Sequence, residues 1–271
     1  MAFAAIVAVM NSCLPERQVA DAFIRSPHMI TIIAEPADLV LKYNHKGEEI
    51  PGFDSLTTEG QDSALWWSSR YVRYVDDSIL LENYVNRFIE ELRVLGFDVI
   101  LSNAPDTVST DSPQSYRLAI SQVQLDEYLY PLQDEESFLD TVYLKTFNLN
   151  AVDFSCWFNL NKAGADNARK TLLYATNSAY DDFEGRFFND PFAGTVRYRY
   201  SIDTLRVQDI YVMATYLGKK HAGYLYDFFL NQYIARHLPE GMEMEDYFHY
   251  DRKRNSITPA YEDRFEILGI Q

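Results

Sequence analysis

The segment Leu81–Ser102 reads LENYVNRFIEELRVLGFDVILS, and the prediction of the fold begins from it. Apolar residues recur at steps of three and four as far as Leu95, which predicts a helix with one buried face over residues 81–95. Gly96 follows the last of these positions and fits a C-terminal helix cap. The apolar run FDVILS after it predicts a strand. The segment therefore predicts a helix that leads directly into a sheet.

Strand patterns dominate the next part of the chain. YRLAISQVQL (residues 116–125) alternates, but its apolar phase slips by one position after Ile120, which predicts a β-bulge. Every second residue from Val152 to Leu160 is apolar, with Asp, Ser, Trp and Asn between, as in a half-buried antiparallel strand. KTLLYATNSAY and TVRYRYSI add two further predicted strands. The middle of the chain is thus predicted to form an antiparallel sheet.

The C-terminal part changes to helical periodicity. A helix is predicted from Ser201 or Asp203 to about Leu217, a break at Gly218, and a second helix over residues 219–238. After this helical pair, the tail predicts a short hairpin or an extended wrap. Together these patterns predict an α+β fold with a mainly antiparallel sheet, forming a single domain over residues 29–271. Division near residue 200 into a sheet-rich part and a helical part is the alternative.

Composition excludes some classes of protein. Among 271 residues, 47% are apolar and 15% aromatic, far too many for a disordered chain. The 40 acidic and 24 basic residues give a net charge of −16, a field that repels phosphate backbones. We therefore predict a folded protein without a nucleic-acid partner.

The stretch RYVRYVDDSILL (Arg70–Leu81) contains YVDD, which resembles the metal-binding turn of reverse transcriptases. Those enzymes also have an aspartate on an upstream strand and a PQG segment between the two aspartate motifs. Here the upstream strand aspartate is missing, and the similar SPQS (residues 112–115) follows the doublet instead of preceding it. Because VDDS directly precedes the predicted helix, Asp76, Asp77 or Ser78 is predicted to cap that helix.

The chain begins MAFAAIVAVMNSC. Its apolar run over residues 2–10 has the length of a secretory h-region, but is shorter than the ~20 residues needed to span a bilayer. The order Met10, Asn11, Ser12, Cys13 resembles the lipobox of bacterial lipoproteins, although no basic residue precedes the run. The resemblance implies cleavage before Cys13, acylation of that residue, and a lipid anchor in the outer membrane that places the protein in the periplasm. The alternative is a buried first strand, FAAIVAVM.

The lipoprotein hypothesis assigns residues 1–12 to a signal-peptide remnant and residues 13–28 to a polar tether. The order helix, GFDVIL, YRLAISQVQL also resembles small α/β modules of periplasmic lipoproteins, including auxiliary subunits of outer-membrane transport systems. We accordingly expect a lipid-anchored protein of the cell envelope that binds an envelope protein partner and has no catalytic role.

The sequence contains no recognisable catalytic motif. The five histidines lack metal-ligand spacing, and HYDRKR (residues 249–254) has no companion nucleophile motif. Asp181, Asp182 and Glu184 are expected to form a solvated acidic loop rather than a calcium site. Cys156 is expected to be a small buried apolar residue. The prediction is therefore no enzyme, no cofactor and no metal.

Aromatic residues are the remaining candidates for a binding site: Trp66, Trp67 and Trp157, with the alternating RYVRY and VRYRY. Exposed Trp, Tyr and Arg are typical of protein interfaces and of sugar-stacking platforms. Two alternatives therefore stay open. A surface glycan-binding lipoprotein requires exposed, coplanar aromatics near Trp66 or Trp157, whereas a hydrolase with an acidic loop site requires carboxylates clustered in one cleft.

Overall fold

The computed structural model describes residues 15–25, 30–102, 114–138, 140–164, 170–190, 192 and 194–270. With 34% helix and 43% strand, the fold is broadly α+β, as predicted. The helices are α1 (Pro15–Arg25), α2 (Thr58–Ser68), α3 (Asp77–Val94) and α4 (Val207–His237). The strands are β1 (Thr31–Glu35), β2 (Val40–Asn44), β3 (Asp98–Leu101), β4 (Ser115–Phe138), β5 (Thr141–Lys162), β6 (Thr171–Tyr180), β7 (Asp182–Asp190), β8 (Thr195–Asp203), β9 (Phe248–Asp251), β10 (Ser256–Pro259) and β11 (Glu266–Ile270). None of the described helices is long and apolar enough to cross a membrane.

The main sheet has the strand order β11-β6-β5-β4-β1-β3. Strands β11, β6, β5 and β4 are antiparallel neighbours, whereas β1 runs parallel to both β3 and β4. Strand β2 also pairs in parallel with β4, further along it than β1. The predicted bulge lies between these two pairings, where the register of β4 against β5 shifts between Ile120 and Gln122.

The core lies between the sheet and the helices α3 and α4, which run in the same direction: Asp76 contacts Tyr211 at their starts, and Phe97, just after α3, contacts Tyr226 and Phe229 further along α4. The alternating apolar residues of β5 are buried, as predicted, and face the helices. Phe88 stacks on Phe158 with 5.9 Å between ring centroids, and Tyr84 packs on Phe154 at 5.1 Å. The helix predicted over residues 81–95 is therefore confirmed as α3, which starts four residues earlier, at Asp77.

Helix α4 corrects the prediction of a helical pair, because it continues through Gly218 without a break. A Cβ atom at Gly218 would lie 2.3 Å from the carbonyl oxygen of Tyr84 and 3.0 Å from the amide nitrogen of Phe88. The glycine therefore allows α3 and α4 to approach closely. Its small size, and not its backbone freedom, explains its position.

Helix α1 differs from the polar tether expected over residues 13–28. Its residues Ala20 and Phe23 are buried, and the Phe23 ring packs against Tyr226 (5.6 Å) and Tyr233 (5.2 Å) of α4. Apolar positions at helical spacing dock this segment on the domain, although its overall composition is polar. Cys13 and the predicted signal segment lie outside the described residues.

Strands β4 and β5 extend beyond the rest of the main sheet, since among the described strands residues 129–138 and 141–150 pair only with each other. The hairpin β7–β8 lies on this extension, and the two hairpins together are called the arm. The Phe147 ring of β5 lies 4.8 Å from both Phe183 and Tyr200, centroid to centroid. The tail forms the short hairpin β9–β10, which was one of the two predicted alternatives. Strand β11 then joins the main sheet.

Candidate functional site

A buried carboxylate fixes the path of the RYVRY segment. Glu127 of β4 accepts hydrogen bonds from the backbone N–H groups of Arg70 (2.9 Å), Tyr71 (3.1 Å) and Val72 (3.2 Å). The hydroxyl of Ser69 donates to the same carboxylate at 2.7 Å. Three consecutive amides bound to one ionised group hold this short segment in a single conformation.

Lys46 compensates the charge of Glu127. Its Nζ atom lies 2.9 Å from Glu127 Oε1 and donates to Asn150 Oδ1 at 2.8 Å, and the Lys46 and Glu127 side chains are only 1% and 0% exposed. Burial opposes ionisation of Glu127, but the hydrogen bonds from Arg70 N–H, Lys46 and Ser69 outweigh it and lower the pKa of that carboxyl. The site therefore holds a buried, hydrogen-bonded ion pair.

The same network includes an aspartate expected in a solvated loop. Asp181 is buried, and its carboxylate accepts from the N–H and the side-chain amide of Asn150 (both 2.8 Å) and from the N–H of Leu205 (2.8 Å). Asp181 is thus a structural residue at the corner between β6 and β7, whereas Asp182 and Glu184 are exposed on β7. In the described residues, no group of His, Cys, Asp and Glu could hold a metal ion.

The predicted site residues Trp66 and Trp67 lie on α2, beside the fixed segment, and both are exposed (41% and 64%). The guanidinium of Arg73 lies 3.8 Å from the centroid of a Trp67 ring and 5.4 Å from that of Tyr74, which is 60% exposed. These four residues are called the Trp67 patch. An arginine stacked on exposed rings offers a flat apolar surface with a charge at its centre.

Trp157 lies apart from this patch, on the face of the main sheet opposite α3 and α4. It pairs across the strands with Tyr174, and the two rings are 4.8 Å apart and tilted by 44°. Trp157 is half-buried. This arrangement differs from the exposed, coplanar aromatics that a glycan-binding platform requires.

The aspartate doublet of YVDD starts helix α3, as predicted. Asp76 Oδ1 accepts from the N–H groups of Ser78 (2.9 Å) and Ile79 (3.2 Å), and the Ser78 side-chain hydrogen bond lowers the pKa of Asp76. Asp77 forms an ion pair with Lys42. Both carboxylates therefore have structural partners.

A second concave region lies between α4 and the C-terminal segment. It is a cleft of about 580 Å³ with His249 on its lining. The His249 Nδ1 atom lies 2.6 Å from Oδ2 of buried Asp227, whose Oδ1 accepts from the N–H of Tyr250 at 2.9 Å. Sequence reasoning noted His249 but missed Asp227, because a helix residue and a strand residue 22 positions apart share no local pattern.

Comparisons with known proteins add no relative. No protein-family model, curated protein or solved structure matches this chain. Function therefore has to be argued from the Trp67 patch and the cleft.

The remaining titratable cluster is part of the core. His221 is fully buried, its Nδ1 lies 2.7 Å from the hydroxyl of Tyr84, and no described residue is a partner of its Nε2. Burial lowers the pKa of His221 to about 3 and raises the pKa of the Cys156 thiol, which lies beside Tyr84, to about 12. Cys156 is the buried, unreactive cysteine that its apolar sequence context predicts.

Proposed function

We propose that this chain is a cell-envelope protein, lipid-anchored through Cys13, that binds a protein partner through the Trp67 patch. One observation carries the binding role: the Arg73 guanidinium is stacked 3.8 Å from an exposed Trp67 ring. The anchor rests on the lipobox-like order Met10, Asn11, Ser12, Cys13. Trp, Tyr and Arg are the residues most enriched among interface hot spots. The Trp67 patch places all three side by side on the surface.

Rigidity of the supporting backbone strengthens this proposal. The N–H of Arg73 donates to Ser69 Oγ at 3.1 Å, and Ser69 itself donates to Glu127. Arg73 therefore extends from a segment that is already ordered by a buried carboxylate. Binding at this ordered surface therefore costs less conformational entropy than binding at a loop that must first become ordered.

The proposed anchor has a geometric consequence. Only Leu14 separates Cys13 from α1, and α1 is packed on α4 through Phe23. An acyl group on Cys13 would therefore hold the domain close to the membrane surface instead of on a long tether.

Metabolic labelling with a palmitate analogue in a bacterial host tests the anchor. We expect labelling of the native chain and of Cys156→Ala, and no labelling of Cys13→Ala. Labelling that persists in Cys13→Ala would refute the anchor and would leave the binding surface as a separate question.

Site-specific photo-cross-linking in cells tests the patch. A photoreactive residue at Tyr74 is expected to give a discrete cross-linked product, whereas one at exposed Val94 on α3 is not. Combining Trp67→Ala with Arg73→Ala should remove the Tyr74 product, because each hot-spot truncation of ~2 kcal/mol weakens binding about 30-fold. Equal products from Tyr74 and Val94, or a product unaffected by the double substitution, would refute the interface.

A further inference from the structure

The cleft beside α4 has the size and lining of a small-molecule site. Its volume of about 580 Å³ falls within the ~300–1,000 Å³ that is common for ligand pockets. Aromatic rings form much of its wall: Tyr216, Tyr224, Tyr250 and Tyr261. Such a lining favours a flat aromatic ligand.

Gly223 keeps one wall of this cleft open. A glycine inside a helix is less favourable than alanine by ~1 kcal/mol, so its presence in α4 calls for a reason. At Gly218 the reason is the close approach of α3, but a Cβ atom at Gly223 would have no atom of the described residues within 4 Å. Gly223 instead lines the cleft, where any side chain would occupy space available to a ligand.

His249 is held in a fixed orientation within the cleft. Asn231 and Asp227, one turn apart on α4, both hydrogen-bond to strand β9. Asn231 accepts from the N–H of Phe248 (2.8 Å) and donates to its C=O (2.7 Å). Asp227 accepts from the N–H of Tyr250 and from His249 Nδ1. The imidazole is therefore locked through Nδ1, and in the described part of the chain no partner occupies its Nε2.

Charges on the cleft wall are mostly paired. Lys220 lies 2.7 Å from Asp263, and Arg252 lies 3.2 Å from Glu91. Lys219 also lines the cleft and forms no ion pair with any described residue. Among the charged side chains of the wall, the donor atoms without a partner in the described residues are thus Lys219 Nζ and His249 Nε2.

The charge of His249 depends on acids from three elements. These are Asp227 of α4, Asp251 of β9 and Asp263 of the segment before β11, and the hydrogen bond to Asp227 has the largest effect, raising the pKa of His249. The other charged groups on the cleft wall are Glu91, Lys219, Lys220, Arg252 and Glu262. The imidazole is therefore biased towards its cationic, doubly donating form.

We propose that this cleft binds a small aromatic acid. The ring lies against the tyrosines and Gly223, and the carboxylate accepts hydrogen bonds from His249 Nε2 and Lys219 Nζ. This ligand site is independent of the Trp67 patch.

Calorimetric titration of the full chain with 2-naphthoate tests the proposal, with the neutral isostere 2-naphthalenemethanol as the matched probe. We expect one saturable site for the acid. Binding of the alcohol should be at least about 10-fold weaker, since charge-assisted hydrogen bonds contribute ~1.5–3 kcal/mol. The Hε1 resonance of His249 should shift on addition of the acid.

Two variants localise the binding. Gly223→Leu should abolish it without lowering the melting temperature, because the new side chain enters open space. Ala235→Leu, which adds the same side chain at an exposed position on α4, is the matched control and should bind as the native chain does. His249→Gln should weaken binding of the acid about 10-fold by removing a charged donor.

Three results would overturn the proposal: unchanged affinity in Gly223→Leu, equal affinity for the acid and the alcohol, or no saturable binding of 2-naphthoate at millimolar concentration. Each leaves the Trp67 patch unaffected, since the patch contributes no residue to the cleft lining.

Discussion

Glu127 is the residue on which the conformation of the RYVRY segment depends. Replacing it with Gln leaves Lys46 buried without a counter-charge, and breaking a buried ion pair in this way costs ~3–5 kcal/mol. Urea unfolding of Glu127→Gln should show this loss. The exposed Glu82 on α3 provides the control, and Glu82→Gln should stay within ~0.5 kcal/mol of the native chain. Equal effects of the two substitutions would contradict the role assigned to Glu127.

The pH dependence of Glu127 has a defined sign. Because its pKa is lowered in the folded state, its stabilisation is present above the unfolded value of 4.5. That stabilisation is lost as the pH falls through the lower, folded pKa. The difference in the free energy of unfolding between the native chain and Glu127→Gln should therefore become smaller at acidic pH.

Protonation of His221 should give the folding stability a second pH dependence, separate from that of Glu127. Its pKa falls from 6.5 to about 3 on folding, mainly through burial, so the unfolded state binds the proton first. Stability should be full above pH 6.5 and should fall as the pH decreases from there towards 3. His221→Leu should reduce the slope of the free energy of unfolding against pH between neutral and weakly acidic pH. His237→Leu, exposed near the end of the same helix, is the control and should retain the native slope.

Residue-scale prediction from the sequence succeeded where the partners are local. The cap at Asp76 was predictable because its donors lie two and three positions away. The role of Glu127 was not, because the amides that it binds lie 55 to 57 positions earlier in the chain. At the candidate site, residue type alone made Trp66 and Trp67 candidates, whereas their exposure on α2 and the stacking of Arg73 are properties of the folded geometry.

At the scale of elements, periodicity predicted helix α3, the bulge in β4 and the alternation of β5. The break at Gly218 was wrong because a glycine in a helical pattern has two explanations, a helix end or a close contact, and only the position of α3 decides between them. Helix α1 was missed because its overall polar composition obscured a docking stripe around Phe23. The parallel pairings of β1, β2 and β3 also depend on contacts that no local pattern encodes.

The two glycines of α4 provide a matched pair of substitutions. Gly218→Ala should destabilise by ~1–3 kcal/mol, because its Cβ atom would clash with the backbone of α3. Gly223→Ala should stabilise by ~0.5–1 kcal/mol, because it removes a helical glycine without creating a contact. Chemical denaturation of the two variants measures both effects. If both substitutions changed the free energy of unfolding in the same direction, either the close contact of Gly218 with α3 or the open space beside Gly223 would be refuted.

At the scale of the whole molecule, apolar residues pack in two places. The principal core joins the main sheet to α1, α3 and α4. The arm has its own layer, in which Phe147 contacts Phe183, Tyr198 and Tyr200, and the Tyr198 hydroxyl donates to Asp134 at 2.6 Å. Because the β7–β8 hairpin pairs with none of the described strands of the main sheet, its order depends on that layer.

Local unfolding of the arm is therefore expected to be separable from global unfolding. Phe147→Ala removes the ring at the centre of the arm layer, so amide exchange in residues 182–203 should become at least ~10-fold faster, the equivalent of ~1.4 kcal/mol. Exchange in the β5–β6 pairing should stay unchanged. Phe154→Ala, in the principal core, is the control: loss of this fully buried ring, at ~3–5 kcal/mol, should accelerate exchange in both regions. Hydrogen exchange followed by mass spectrometry distinguishes these outcomes, and uniform acceleration in Phe147→Ala would show instead that the arm and the core unfold as one cooperative unit.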